Sequence, residues 1–233
     1  MCIRDSAKGV RAGDVKYFDY NEDGDISDAD RMNVGKAIPD FYGGITSNFS
    51  YKGFDLSLFG QFSVGGKVMS AWRGVNGSEG TDHLGLALSN VKVNDRGESV
   101  EQYFNVSKEV ANGYWRGEGT SNTIPRPVRI GVHTGYDYDY NVQTSTRYLE
   151  DASYFKLKTV TLGYTLPESV VKKLRVNSLR VYVSADNLLT LTKYSGYDPE
   201  TSFSGSPGDS NYGVDFGLQP VLRTFIFGLN LNF

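Results

Sequence analysis

Apolar and polar side chains alternate with a period of two in several long runs of this chain. In residues 41–51 (FYGGITSNFSY), Phe41, Ile45, Phe49 and Tyr51 share one face, and Thr46, Asn48 and Ser50 the other. A tight turn at Gly53 leads into residues 54–63 (FDLSLFGQFS), where Phe54, Leu56, Leu58 and Phe62 oppose Asp55, Ser57, Gln61 and Ser63. Each run is close to the ~9–11 residues that a tilted strand needs to cross a bilayer, whereas a strand of a soluble sandwich is nearer ~5–6. Residues 153–167 alternate again but change phase: Phe155 and Leu157 set one register, Val160, Leu162 and Tyr164 the other. A β-bulge near Lys158–Thr159 reconciles them. Residues 178–192 carry Leu179, Val181, Val183 and Ala185 on one face, and residues 219–233 form the last strand.

Between the strands the pattern differs. Residues 12–18 read as extended, and the stretch up to Pro39 as irregular. PESVVKKL reads as a short helical turn opened by its proline, and residues 107–115 hold a second such turn. Residues 64–145 otherwise show no regular period, and residues 193–219 are polar and rich in Gly and Ser. Connections therefore alternate: short at 51–53 and 166–177, long at 64–152 and 193–219. Outer-membrane barrels sort short periplasmic turns from long outer loops in this way, and a sandwich has no reason to. Counting back by two from Phe233 gives Leu231, Leu229, Phe227 and Phe225, a stripe resembling the assembly signal read by the outer-membrane insertion machinery. The expected fold is all-β: an antiparallel transmembrane β-barrel segment with long extracellular loops.

Composition agrees. Aromatics make up 13% of the 233 residues and Gly numbers 27, which favours strands and turns. Mean hydropathy is −0.37, and no run of 18 apolar residues suggests a membrane helix. A net charge of −3 and a pI of about 5.5 advertise no surface for nucleic acid. The one cysteine, Cys2, excludes an intrachain disulfide. MCIRDS resembles an adapter-derived hexapeptide, so residues 1–8 read as a non-native or disordered start and the chain as a fragment. The remaining division is a loop over 9–40 and barrel over 41–233.

The loudest local signal is DYNEDGDISDAD, residues 19–30. Asp19, Asn21, Asp23 and Asp30 sit where a twelve-residue calcium loop places side-chain oxygens, the Asp25 carbonyl takes the seventh place, and Ser27 can act through water. Gly24 allows the sharp turn. The flanks are not helical as an EF-hand requires, and no second copy exists as a docking module would have. Two readings stay open: a calcium site, with an affinity of order 10⁻⁴ to 10⁻³ M sufficing outside the cell, or an acidic turn whose Asx side chains bond nearby N–H groups. Calcium is the one cofactor the residues offer.

No catalytic residue is predicted. The two histidines, His83 and His133, lie in the irregular stretch, and no G-x-S-x-G, H-E-x-x-H or cysteine cluster occurs. Trp72, Trp115, Tyr136, Tyr138 and Tyr140 are candidates for stacking on sugar, the tyrosines interleaved with carboxylates in GYDYDYNV. Packing within the loop, or an interfacial girdle, is the competing role for each.

Three stretches carry a family resemblance. GDVKYFDYNEDGDISDADRMNVGKAIPDFYGGITSNFSYKGFDLSLFGQFSVG, RYLEDASYFKLKTVTLGYTLPESVVKKLRVNSLRVYVSADNLLTLTKYSGYDPE and the ending GLNLNF resemble, in order, the late barrel of SusC/RagA-type TonB-dependent transporters of Bacteroidota. The resemblance implies the C-terminal strands of a plugged barrel of about 22 strands, incomplete here, in the cell outer membrane. It also implies TonB acting through a missing N-terminal region, a SusD-like surface lipoprotein as lid, and an oligosaccharide or peptide substrate. Thr46, Asn48, Asp55 and Gln61 are then expected to face the lumen, and Phe54, Leu56, Leu58 and Phe62 the lipid. The alternative from another class is a secreted β-sandwich that binds glycan and is stabilised by a calcium loop.

Overall fold

The computed structural model describes residues 12–71, 73, 87–93, 96, 98–103, 108–131, 141, 144–200 and 212–233. Its strands are β1 (Phe41–Tyr51), β2 (Phe54–Val64), β3 (Lys67–Ser70), β4 (Ala87–Val93), β5 (Ser99–Tyr103), β6 (Val128–Gly131), β7 (Leu149–Asp151), β8 (Tyr154–Thr165), β9 (Ser178–Thr192), β10 (Val214–Asp215) and β11 (Thr224–Asn232). Two short helices are α1 (Lys108–Gly113) and α2 (Glu168–Leu174). The chain divides into two compact units, one of residues 35–68 and 150–233, the other of residues up to 34 and 69–149.

The first unit is built on an antiparallel five-stranded sheet of order β1-β2-β8-β9-β11. The β1–β2 hairpin closes on Lys52 and Gly53, both at positive φ (46° and 86°). Two positive-φ residues give the turn a twist matching that of its strands. Pairing of β2 with β8 spans the longest connection in the sheet, and β11 returns to β9 across the second long loop. The long strands fall where alternation places them. The last begins at Thr224 rather than 219, past Pro220, which has no N–H for a ladder.

The expected bulge is present. Register shifts between Leu157 and Thr159 against β2 and β9, which returns Phe155 and Leu157 to the face of Val160, Leu162 and Tyr164. Strand β9 accommodates the same step with Asn187 at φ 53°.

Burial in this sheet is inverted relative to a water-soluble protein. One face presents Phe49, Leu56, Leu162, Val183 and Phe227 as a single cross-strand row. Phe227 is 81% exposed, Phe49 59% and Leu229 60%. The opposite face carries Asn48, Ser57, Thr161 and Ser184 in register, and Lys156, Ser63, Asp198 and Asp215 are among the buried residues of this unit. A sandwich must cover its apolar face with a second sheet, and this face is open, so the secreted-sandwich alternative does not describe it. No helix among the described residues is long and apolar enough to cross a membrane.

In the second unit, β4 pairs antiparallel with β5 and parallel with β6. These strands correct the expectation of irregularity over 64–145. They are 4 to 7 residues long, too short for a period to stand out, and the β4–β6 pair joins distant segments. Helix α1 confirms the turn read at 107–115 and buries Val110.

Candidate functional site: the polar face and its rim

Two charged constellations organise the polar face of the five-stranded sheet. Near the end with short turns, Arg180 on β9 reaches over β8 to Asp55 on β2. Its Nε donates to Asp55 Oδ1 at 2.9 Å and its Nη2 to Oδ2 at 2.5 Å. This bidentate geometry is the stronger form of ion pair. It is possible because Gly163 stands between them: a Cβ there would lie 2.4 Å from Arg180 Nη2 and 2.5 Å from Asp55 Oδ1. The guanidinium also sits 5.0 Å over the Tyr182 ring, and that ring lies against Gly228.

At the other end the loop after β9 folds back onto the wall. Lys156 of β8, its side chain 3% exposed, donates to Asp198 and Glu200. Lys158 donates to Glu200 Oε2 at 2.7 Å and the Tyr154 hydroxyl to Oε1 at 2.9 Å, while Gln61 donates to Tyr154 at 3.2 Å. Asp198 Oδ1 also accepts the Glu200 N–H at 3.0 Å. Burial opposes ionisation of Glu200, but the hydrogen bonds from Lys156 and Lys158 outweigh it and hold the carboxyl below its usual range. Tyr194 donates to Asp215 Oδ2 at 2.5 Å, and Asp215 Oδ1 accepts the Gly217 N–H at 2.8 Å. Ser195 donates through both N–H and hydroxyl to Glu150, each at 2.8 Å. Asp151 is held below the usual carboxylate range by the Ser153 hydroxyl and then by its backbone N–H. Carboxylates thus fasten residues 194–200 to the strand ends.

None of Lys156, Lys158, Arg180, Asp198, Asp215 or Tyr154 was among the sequence candidates. The available signal was a pair of lysines in the polar phase of a strand (FKLK) matched by two acids in the following loop (YDPE).

The predicted calcium loop is described throughout and is largely self-satisfied. Asp30 accepts the N–H groups of Tyr20 and Ser27, both at 2.8 Å, and these lower its pKa, the Ser27 bond first. Asp23 accepts from Asp25 at 2.8 Å, and Asn21 from Asp23 at 3.1 Å. Ser27 and Asp30 form a capping box on a single 3₁₀ turn. Asp19 holds the Gly24 N–H with Oδ2 at 2.9 Å, while its Oδ1 is buried with no hydrogen-bond partner, one oxygen that a cation would satisfy. Among the described residues no group of three or more His, Cys, Asp or Glu side chains is disposed to hold a metal ion.

Of the aromatic candidates, Trp115 lies with its ring against Gly13, where a Cβ would come within 2.2 Å of it. Nearby, Asn141 and Arg126 hold Asp14: Asn141 Nδ2 donates to it at 2.8 Å and Arg126 Nη2 at 3.1 Å. Trp72, Tyr136, Tyr138 and Tyr140 lie outside the described residues, as do His83 and His133. The terminal stripe is in place: Phe225, Phe227, Leu229 and Leu231 pair with Ala185, Val183, Val181 and Leu179, and Phe233, just beyond β11, is 82% exposed.

A polar face carrying buried ion pairs, an apolar face left open and a run of membrane-length antiparallel strands define a segment of a transmembrane β-barrel. No protein-family model matches the chain. It is 33% identical over 225 residues to TonB-dependent receptor P3 of Formosa agariphila, covering 95% of this chain and 19% of that protein. It is 26% identical over 219 residues to TonB-dependent receptor SusC of Bacteroides thetaiotaomicron, covering 93% of this chain and 17% of SusC. Among solved structures, the RagAB peptide importer in its open-open state matches at a TM-score of 0.55 and 24% identity, over 85% of this chain and 18% of that one. The closed-closed state of RagAB matches at 0.56 and 23%, over 86% and 18%. The chain spans about a fifth of the length of the curated relatives it matches. Over one stretch of their length the chain is thus homologous to TonB-dependent receptors, SusC among them, and it shares the fold of the corresponding part of RagAB.

Proposed function

We propose that the chain forms the late wall of a TonB-dependent outer-membrane transporter that imports an oligosaccharide or peptide beneath a SusD-like lipoprotein lid. The observation that carries this is the inverted sheet: apolar side chains open to the outside and a charge-paired polar face within. In this reading the short turns face the periplasm and residues 194–200 line the outer mouth. TonB acts on a plug supplied by parts of the receptor outside this chain, and the insertion machinery reads the terminal stripe. The wall itself performs no chemistry on the substrate.

The test is purification of the tagged full-length receptor from the outer membrane of its host, with uptake of labelled oligosaccharides and peptides compared between parent and deletion strains. A co-purifying surface lipoprotein and loss of uptake of one class are expected. A receptor recovered in the soluble fraction, or unchanged uptake of both classes, would overturn the reading.

Two narrower roles belong to it. The loop aromatics Trp72, Trp115, Tyr136, Tyr138 and Tyr140 stack on substrate; unchanged ligand affinity after Trp115→Ala and Tyr138→Ala would sink that role. Calcium pins the 19–30 loop through Asp19, with Asn21, Asp23, the Asp25 carbonyl and Asp30. Calorimetry of the intact receptor should show calcium heat that Asp23→Ala abolishes, and no heat in the parent ends the idea.

A further inference from the structure

The end of the sheet with short turns is cationic in a chain that is net acidic. Lys52 sits in the β1–β2 turn, and α2 with its following residues brings Lys172, Lys173 and Arg175 to the same end; all four are exposed. The α2 acid is Glu168, which pairs with Lys172 at 2.9 Å. Among the described residues Lys52, Lys173 and Arg175 form no ion pair, although the chain as a whole carries −3. Arg175 caps α2 in the left-handed region at φ 56°, and the buried Val171 seats the helix.

Lys52 adjoins the aromatic end of the apolar face, and Arg175 lies two residues before Asn177, whose N–H donates to the Asn232 carbonyl at the end of β11 at 2.8 Å. Tyr51 is 70% exposed, Phe54 52% and Phe233 82%, and the Lys52 ammonium lies 5.2 Å from the centre of the Tyr51 ring. Aromatic rings at a strand end mark headgroup depth, and long basic side chains extend their charged tips from there into the phosphate layer.

We propose that this rim is a binding surface for anionic glycerophospholipid headgroups, with Lys52, Lys173 and Arg175 as the phosphate contacts. The surplus of positive charge and its place at the aromatic border favour a lipid phosphate over an acidic soluble partner, which would need no apolar border. The inference rests on the sheet being a membrane wall; it does not depend on the transported substrate.

The full-length receptor in a neutral detergent is titrated with dioleoylphosphatidylglycerol and, separately, with dioleoylphosphatidylcholine, and bound lipids are counted by native mass spectrometry. The parent should retain the anionic lipid preferentially. The triple variant Lys52→Gln, Lys173→Gln, Arg175→Gln should lower that preference by about tenfold or more, since each basic residue near an anionic surface is worth roughly fivefold. Lys52→Arg with Lys173→Arg should keep it. Compact migration of the unheated variant in detergent gels shows that the barrel has formed, which separates loss of the rim from loss of the wall. Equal retention of both lipids by the parent, or an unchanged preference in a folded triple variant, overturns the proposal. So does complete displacement by inorganic phosphate at millimolar concentration, which would assign the surface to a soluble anion.

Discussion

Replacing Lys156 by methionine tests the rim network most directly. Methionine keeps most of the stem and removes the charge that Asp198 and Glu200 share. Side-chain exposures of 3% for Lys156 and 7% for Asp198 place the pair in the regime where breaking a buried ion pair costs about 3 kcal/mol or more. The strap of residues 194–200 carries this cost, because it is the part that can detach without unzipping the sheet. At 1.36 kcal/mol per decade, about 3 kcal/mol corresponds to roughly 100-fold more frequent opening. Hydrogen exchange of the full-length receptor, read at the amides of Glu200 and its neighbours, measures that ratio. Adding Asp198→Asn should recover part of the loss, since the second change removes the charge that Lys156 had faced. Protection of the strap within twofold of the parent, or a double variant whose loss equals the sum of the single ones, would refute the reasoning.

Other outcomes follow from the same geometry. Gly163→Ala should cost about 1–3 kcal/mol by driving a methyl group into the Asp55–Arg180 pair; the temperature at which the folded barrel loses compact gel migration should fall, and by much less when Asp55→Ala is already present. Glu200 and Asp151 are both held below the ordinary carboxylate range, so their stabilisation is full above about pH 4 and is lost as pH falls through their lowered values. Protease sensitivity of residues 194–200 should therefore be flat from neutral pH down to about 4 and rise only below it; a rise near pH 6 would contradict this. Phe227→Lys places a charge halfway along β11 on the apolar face, at about 2–4 kcal/mol. Outer-membrane yield should drop sharply, whereas Asn230→Lys on the polar face should assemble normally.

The long strands were legible because period-two alternation is a local property with a large stake. A slip of one residue would bury Phe49 and expose Asn48 to lipid, so the pattern has to be kept along the whole strand. The bulge was legible for the same reason, as a change of phase between Leu157 and Val160. Strands β4–β6 were not, because short segments are stabilised by partners far away and carry little period of their own. The calcium-like loop shows the limit of residue types taken by themselves. Its residue types fit a metal site, but types do not reveal whether Asp30 offers its oxygens to an ion or to the N–H groups of Tyr20 and Ser27, as it does here.

From its residues alone, then, this chain declared the number of its wall strands, the approximate extent of all but the last, which face of each is apolar and which polar, and the sorting of short from long connections. Each follows from the order of side chains along a backbone whose geometry alternates. Only the tertiary structure decided that β8 lies between β2 and β9. That placement carries Arg180 to Asp55 across 125 positions and Lys156 to Asp198 across 42. Contacts between residues so far apart depend on which strands become neighbours, and alternation within one strand says nothing about the strand beside it.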